Sequence, residues 1–155
     1  MATQANGAKT AVVLLAEDSP AEQRLAQRAL DETQLQCDLR IVSDGKEVMD
    51  YLLRRGAYTN AQHAPRPDLI LLDLNMPKLD GRQVLQQAKS NPQLETIPIV
   101  VLTTSTQEQD ILQSYHLGCN SYIKKPVDVH KFIDVMRHLG LYWMQLVQLP
   151  PCEGN

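Results

Sequence analysis

The chain lacks three features that would place it in a common class at once: metal-type cysteine spacing, long apolar runs and clustered positive charge. Its three cysteines, Cys37, Cys119 and Cys152, form no CxxC pair, and no paired histidine motif accompanies them. This argues against a zinc site. Reduced thiols in a cytoplasmic protein are the simplest interpretation.

Membrane and nucleic-acid partners are not expected either. Apolar runs such as residues 11–16 and 69–72 are far too short to span a bilayer, and polar residues 1–10 do not have the apolar core of a signal peptide. The net charge of −3, with no basic run, does not favour binding to nucleic acid.

The length of 155 residues suits one domain. We expect a flexible tail over residues 1–10, one domain over residues 11–147 and a second tail over residues 148–155. Because that second tail is short and includes Pro150 and Pro151, no attached effector domain is expected.

Short β-rich runs alternate with helical patterns along the whole chain. The runs are residues 12–16, 39–42, 69–73, 97–102 and 121–124. They are almost continuously apolar, which indicates a parallel sheet that is covered on both faces. Five such units predict an α/β, flavodoxin-like, doubly wound sheet in the order 2-1-3-4-5.

Helix-start signals follow two of the predicted strands. Ser19, Pro20 and Glu22 predict a capping box and a first-turn proline, and Ser105 with Glu108 predicts another box for a helix ending near residue 117. Other helices are expected up to residue 53, from about 81 to 90, and from about 128. Polar residues 54–67 between them predict a long loop, which indicates either function or disorder.

Polar residues collect at the carboxyl ends of the predicted strands. Glu17 and Asp18 follow strand 1, Asp73 ends strand 3, Thr103 ends strand 4, and Lys125 follows strand 5. Strands 1 and 3 are neighbours in this order, so three carboxylates should crowd together and repel one another. A divalent cation would relieve the repulsion, and oxygen ligands favour Mg²⁺, with Mn²⁺ as a second possibility.

The same arrangement suits phosphoryl transfer to a carboxylate. Asp73 would be the nucleophile, the cation and a lysine would balance the added charge, and the Thr103 hydroxyl would donate to a phosphate oxygen.

These motifs, in this order, resemble the receiver domain of two-component response regulators over about residues 10 to 140. They are Glu17-Asp18, residues 71–77 with Asp80-Gly81, Leu102-Thr103, and Tyr122 with Lys125-Pro126.

The resemblance implies a role for each matching residue. Asp73 matches the phosphoacceptor; Asp18 and the backbone carbonyl of Asn75 match metal ligands; Glu17 matches a ligand that acts through water. The implied protein is a switch that promotes its own phosphorylation and dephosphorylation, rather than an enzyme.

The remaining matches concern the response to phosphorylation. Thr103 matches the switch hydroxyl, and Tyr122 matches the aromatic residue that moves inward on activation. Lys125, rather than Lys124, matches the phosphate-pairing lysine because it directly precedes Pro126, and the bond between them is expected to be cis. A sensor histidine kinase is the implied phosphoryl donor, docking on the helix after Ser19, and output would pass to a downstream protein through contacts.

A finer resemblance is to the cyanobacterial phytochrome-associated response regulators, which implies a phytochrome-type kinase. It is carried by the loop at residues 54–67, by residues 102–105 and by the tail at residues 142–150. Thr104 departs from the common receiver pattern, where a small residue such as Ala is usual, and this bears on phosphoryl lifetime and access.

The last predicted helix carries an apolar stripe with heptad-like spacing: Val129, Phe132, Met136, Leu139, Trp143 and Leu146. A helix of that length would overhang the sheet, leaving Trp143 and Leu146 in water on a monomer. We expect a homodimer through this helix; the alternative is a tail that folds back on its own domain.

Two other functions fit parts of the pattern. A phosphohydrolase of the haloacid dehalogenase type needs an acid two residues after the nucleophile, where this chain has Asn75. A flavodoxin needs a phosphate-binding turn after strand 1, where Glu17 and Asp18 would repel the FMN phosphate.

Overall fold

The computed structural model describes residues 10–33, 37–104, 113 and 115–138. The predicted capping box at Ser105 and Glu108, the stripe residues Trp143 and Leu146, and almost all of both predicted tails lie outside these residues.

Five parallel strands form one sheet in the order β2-β1-β3-β4-β5, which confirms the prediction. The strands are Ala11–Ala16 (β1), Cys37–Val42 (β2), Leu69–Asp73 (β3), Ile99–Thr103 (β4) and Ser121–Lys124 (β5). β4 begins two residues later than predicted. Ile97 is buried, but its N–H donates to the Leu94 carbonyl, and Pro98 has no N–H to donate.

Among the described residues, four helices flank the sheet: Pro20–Glu32 (α1), Gly45–Leu53 (α2), Gly81–Lys89 (α3) and Val129–His138 (α4). A short 3-10 helix, Gly56–Tyr58, follows α2. Within the part of the chain that the structure describes, no helix has the length and apolar character needed to cross a membrane.

The first predicted capping box is only half formed. The Ser19 hydroxyl accepts from the N–H of Glu22, as predicted, but the Ser19 N–H donates to the Glu17 side chain at 3.1 Å instead of to Glu22. A complete box forms at α3, between Asp80 and Gln83. The N-cap residue of α1 is therefore hydrogen-bonded to the buried carboxylate of Glu17.

Alternate strand residues point to two separate cores, so both faces of the sheet are covered as predicted. Leu14 and Leu72 belong to the core under α2 and α3, whereas Leu15 and Leu71 belong to the core under α1 and α4. Phe132 of α4 is fully buried in the second core, which stabilises the fold by about 1.5–3 kcal/mol.

Residues 54–67 form a packed segment. The Tyr51 hydroxyl donates to the Pro65 carbonyl at 2.8 Å, Arg40 donates to the His63 carbonyl at 3.2 Å, and Ala64 is buried. These side-chain donors provide hydrogen bonds to loop carbonyls that have no partner in a helix or strand.

The strand register brings the acidic residues together. Ala16 lies beside Leu72, so the next residue on each strand, Glu17 and Asp73, follows at the same carboxyl edge. On the other side of β3, Asp73 lies beside Leu102, which places Thr103 one residue further along β4.

Candidate metal centre

Three carboxylates meet at the carboxyl edge of the sheet. Glu17, Asp18 and Asp73 each offer an oxygen, and these oxygens all lie within 4.8 Å of one another. Glu17 and Asp73 are buried, whereas Asp18 is exposed. The arrangement resembles an open-sided cation site with two internal ligands and one at its mouth.

Lys125 reaches into this cluster. Its ammonium nitrogen lies 2.5 Å from Glu17 Oε1 and 3.3 Å from Asp73 Oδ2, and its side chain is 9% exposed. The backbone N–H of Lys125 donates to the Thr103 carbonyl at 2.8 Å, and its bond to Pro126 is cis. The neighbouring Lys124 points to solvent, so only one of the two lysines reaches the carboxylates.

The electrostatics of the cluster are unbalanced. Burial raises the pKa of Glu17 and the pKa of Asp73, although hydrogen bonds and the Lys125 charge act in the opposite direction. Burial by itself would lower the pKa of Lys125, but its hydrogen bond to Glu17 and the Asp73 charge outweigh it and raise that pKa. One ammonium therefore serves two buried carboxylates, with Asp18 beside them.

Glu17 is held in place by contacts on several sides. Its N–H donates to the Val42 carbonyl, its Oε2 accepts from Ser19, and its carbonyl accepts from the Gln23 side chain at 2.6 Å. Its Oε1 is buried and pairs with the Lys125 ammonium. A buried, oriented carboxylate oxygen of this kind, next to two other carboxylates, fits a hard divalent cation.

Two glycines hold the segment after β3 in place. A Cβ on Gly81 would lie 2.4 Å from the Asp73 carbonyl oxygen, and a Cβ on Gly45 would lie 1.7 Å from the Leu79 carbonyl oxygen. Only glycine permits either approach. The Asn75 N–H donates to Asp73 Oδ1 at 3.1 Å, so the same segment also orients the central carboxylate.

Thr103 and Tyr122 lie on the two strands that follow β3 in the sheet. Thr103 is buried at the end of β4. Tyr122 is 37% exposed, and its ring packs edge-on against Tyr115 with 6.3 Å between the ring centres. Tyr122 thus occupies an outward position.

Sequence reasoning did not identify Gln23 or Gly45 as parts of this site. Gln23 lies one turn into α1 and acts through the Glu17 carbonyl. Gly45 acts across the fold on residue 79. Neither contact has a local sequence signal, although a glycine at the start of a predicted helix was visible.

Known response regulators are similar to this chain in sequence and in structure. The family model described as "Response regulator receiver domain" matches residues 13–137. The chain is 44% identical over 139 residues to response regulator Rcp1 of Synechocystis sp. (strain ATCC 27184 / PCC 6803 / Kazusa), covering 90% of this chain and 92% of that protein.

Solved structures agree with this match. The Mn²⁺-bound form of response regulator Rcp1 superposes with a TM-score of 0.72 at 43% identity, covering 90% of this chain and 99% of that one. The phosphorylated cyanobacterial phytochrome response regulator RcpA gives a TM-score of 0.74 at 43% identity, covering 92% and 99%.

Proposed function

Because the chain belongs to the response regulator receiver domain family, we propose that it is a phosphorylation switch in which Asp73 accepts a phosphoryl group from a sensor histidine kinase. The observation that carries this proposal is the position of Asp73, which is buried between Lys125 and the acidic pair Glu17 and Asp18. Asp73 therefore stands where an added phosphoryl group would meet positive charge on two sides once a cation is present.

The cation would be Mg²⁺, with Mn²⁺ able to replace it. Asp18, Asp73 and the Asn75 carbonyl would be direct ligands, and Glu17 would act through water. The Mn²⁺-bound form of Rcp1 supports a divalent cation in this family. When bound, the cation neutralises charge on the carboxylates and the incoming phosphoryl oxygens.

The protein's own residues would position and balance the transfer. An Asp73 oxygen forms the new bond to phosphorus while the bond from phosphorus to the donor imidazole nitrogen breaks. The Asn75 N–H holds Oδ1 at 3.1 Å, and Lys125, 3.3 Å from Oδ2, remains close enough to pair with the phosphoryl group.

The response would then pass through Thr103 and Tyr122. The Thr103 hydroxyl closes on a phosphoryl oxygen, and Tyr122 leaves its exposed position against Tyr115 to move inward. Phosphorylation biases an existing two-state equilibrium rather than creating a new fold. A downstream protein would read the changed surface.

A phytochrome-type kinase is the proposed donor, because RcpA is a phytochrome response regulator and shares 43% identity with this chain. A homodimer through the last helix, with Trp143 and Leu146 in the contact, is also proposed. Sedimentation of the wild-type protein and of Trp143→Ala tests this part: a wild-type monomer at micromolar concentration contradicts it.

Intact-mass measurement after incubation with acetyl phosphate and Mg²⁺ tests the acceptor. We expect a gain of one phosphoryl group in the wild type and in Asp134→Asn, a matched control on an exposed position of α4, and no gain in Asp73→Asn. Equal labelling of Asp73→Asn contradicts the assignment. Transfer from a phosphorylated phytochrome kinase tests the donor separately, because failure there with success on acetyl phosphate rejects only the partner.

A further inference from the structure

A cavity lies at the edge of the sheet opposite to the acidic cluster. Its volume is about 330 Å³, and its walls come from the last turn of α2, from residues 64–67 and from residues 93–97. Pro67 and Ile97 shortly precede β3 and β4, which places the cavity at the amino ends of those strands. Its volume is at the lower end of the range for small-molecule sites, about 300–1,000 Å³.

Apolar side chains form the base of this cavity. Leu94 and Ile97 are 5% and 3% exposed, and Pro67 is buried with them. The nearby Tyr51 hydroxyl is already engaged with the Pro65 carbonyl. The base therefore offers contact surface to an apolar group rather than hydrogen bonds.

Two arginines line the walls of this cavity, and neither has an acidic partner among the described residues. Arg54 donates to the Ala64 carbonyl at 3.4 Å, and Arg66 donates to the Gln93 carbonyl at 2.6 Å and to the Thr96 hydroxyl at 3.1 Å. Among the residues placed by the structure, neither arginine forms a salt bridge and no carboxylate lines the cavity. Two uncompensated positive charges thus face one opening.

The backbone of Arg54 adopts a conformation that disfavours a residue with a side chain. Arg54 caps α2 in the left-handed region, with φ of 55° and ψ of 54°. Glycine is favoured at such a cap, and a residue with a Cβ is disfavoured by about 1–2 kcal/mol. The hydrogen bond to Ala64 is long and offsets little of this cost.

We propose that this cavity binds a small organic anion, a carboxylate with a short apolar body. The guanidinium groups of Arg54 and Arg66 would hold the carboxylate, because planar forked donors match its two oxygens. Leu94 and Ile97 would contact the apolar body. The residues that line this site do not overlap with those of the acidic cluster.

Amide NMR titration of the full chain tests the proposal with three probes. Hexanoate should shift amide signals of residues 51–54, 64, 66 and 93–97. Hexan-1-ol, which has the same apolar body, and inorganic phosphate, which has only the charge, should bind about tenfold more weakly or not at all. No hexanoate-dependent shift at these residues overturns the proposal. Equal binding of hexan-1-ol or of phosphate also overturns it, because one half of the site would then have no role.

Single arginine variants separate ligand binding from folding. Arg54→Gly should keep or raise the melting temperature, since glycine suits the cap, and still bind hexanoate about tenfold more weakly; Arg66→Gln should show the same loss. Arg55→Gln is the matched control, because this exposed neighbour pairs with Asp50 and lies outside the cavity. Unchanged hexanoate affinity in Arg54→Gly and Arg66→Gln contradicts the proposal.

Discussion

Replacing Lys125 with methionine separates its role in folding from its role beside a bound cation. Methionine keeps the length and apolar stem of lysine but removes the ammonium from Glu17 and Asp73. Both carboxylates, with side chains 2% and 4% exposed, would then remain buried without a cation. We expect the metal-free variant to be much less stable and to bind Mg²⁺ more tightly than the wild type.

The distances set the scale of the effect. At an effective dielectric constant of about 20, the attraction between unit charges is about 7 kcal/mol at the 2.5 Å separation from Glu17 and about 5 kcal/mol at the 3.3 Å separation from Asp73. The cost of removing the three groups from water offsets much of this. Deleting one partner of a buried ion pair lowers the free energy of unfolding by about 3–5 kcal/mol, and we expect a loss of this size in Lys125→Met.

Added Mg²⁺ should recover part of this loss. In the wild type the ammonium occupies space beside Glu17 Oε1 and competes with a cation, whereas in Lys125→Met that competition is absent. If the variant binds Mg²⁺ tenfold more tightly, saturating Mg²⁺ stabilises it by about 1.4 kcal/mol more than it stabilises the wild type.

Urea denaturation with and without Mg²⁺ measures both quantities, and Lys124→Met is the control. Lys124 is exposed, so its loss should change the free energy of unfolding by no more than about 0.5 kcal/mol. Equal destabilisation by the two substitutions, or equal Mg²⁺-dependent stabilisation of Lys125→Met and wild type, would refute the reasoning.

The pH dependence of the deficit has a definite sign. Burial raises the pKa of Glu17 and the pKa of Asp73 in the folded protein. At a pH between the unfolded-state and the folded-state pKa values of these groups, the folded state therefore binds more protons than the unfolded state. Removing Lys125 raises both pKa values further. The Lys125→Met deficit should therefore shrink as the pH falls from about 8 to about 5.

Three further predictions follow from single contacts. Gly81→Ala would place a Cβ 2.4 Å from the carbonyl oxygen of Asp73, the proposed phosphoacceptor. We expect the free energy of unfolding in urea to fall by about 1–3 kcal/mol and labelling by acetyl phosphate to become slower. Wild-type behaviour in both assays would contradict this close contact. Burial raises the pKa of Cys37 and the pKa of Cys119 to about 11. In a Cys152→Ser background both thiols should therefore react with iodoacetamide roughly a hundredfold more slowly near pH 8 than a free thiol does. Fast alkylation of the folded protein would contradict this prediction. Asp80→Ala removes the cap of α3 and should lower the free energy of unfolding by about 1 kcal/mol, whereas Asp80→Asn, which retains an acceptor oxygen, should lose much less.

The strands could be predicted because their apolar runs are continuous and bounded by polar residues. Residues 69–73 show this most clearly, since all five are buried and both predicted ends agree with the structure. The start of β4 was misplaced because Ile97 is as buried as a strand residue, although it lies in the preceding turn. Apolar character reports burial, and it does not by itself report which backbone groups are paired.

The caps show a similar division. The Ser19 hydroxyl was predictable from its place before Pro20, because that half of a capping box is local. The other half was not, since the Ser19 N–H bonds to Glu17, whose side chain is turned inward by the cluster. A local motif predicts a hydrogen bond only where no buried group offers a better acceptor.

The sequence by itself determined the order of the strands and the residue types at their carboxyl ends, because apolar periodicity and chain order constrain a parallel sheet so strongly. It also predicted that Asp73 would lie near Glu17 and Asp18. Only the tertiary structure decided how the charges are shared: that the Lys125 ammonium pairs with both Glu17 and Asp73, which Glu17 oxygen it contacts, and that Arg54 and Arg66 face one cavity. These depend on distances of a few ångströms between residues far apart in the chain, and electrostatic energies change too steeply over such distances for sequence spacing to determine them.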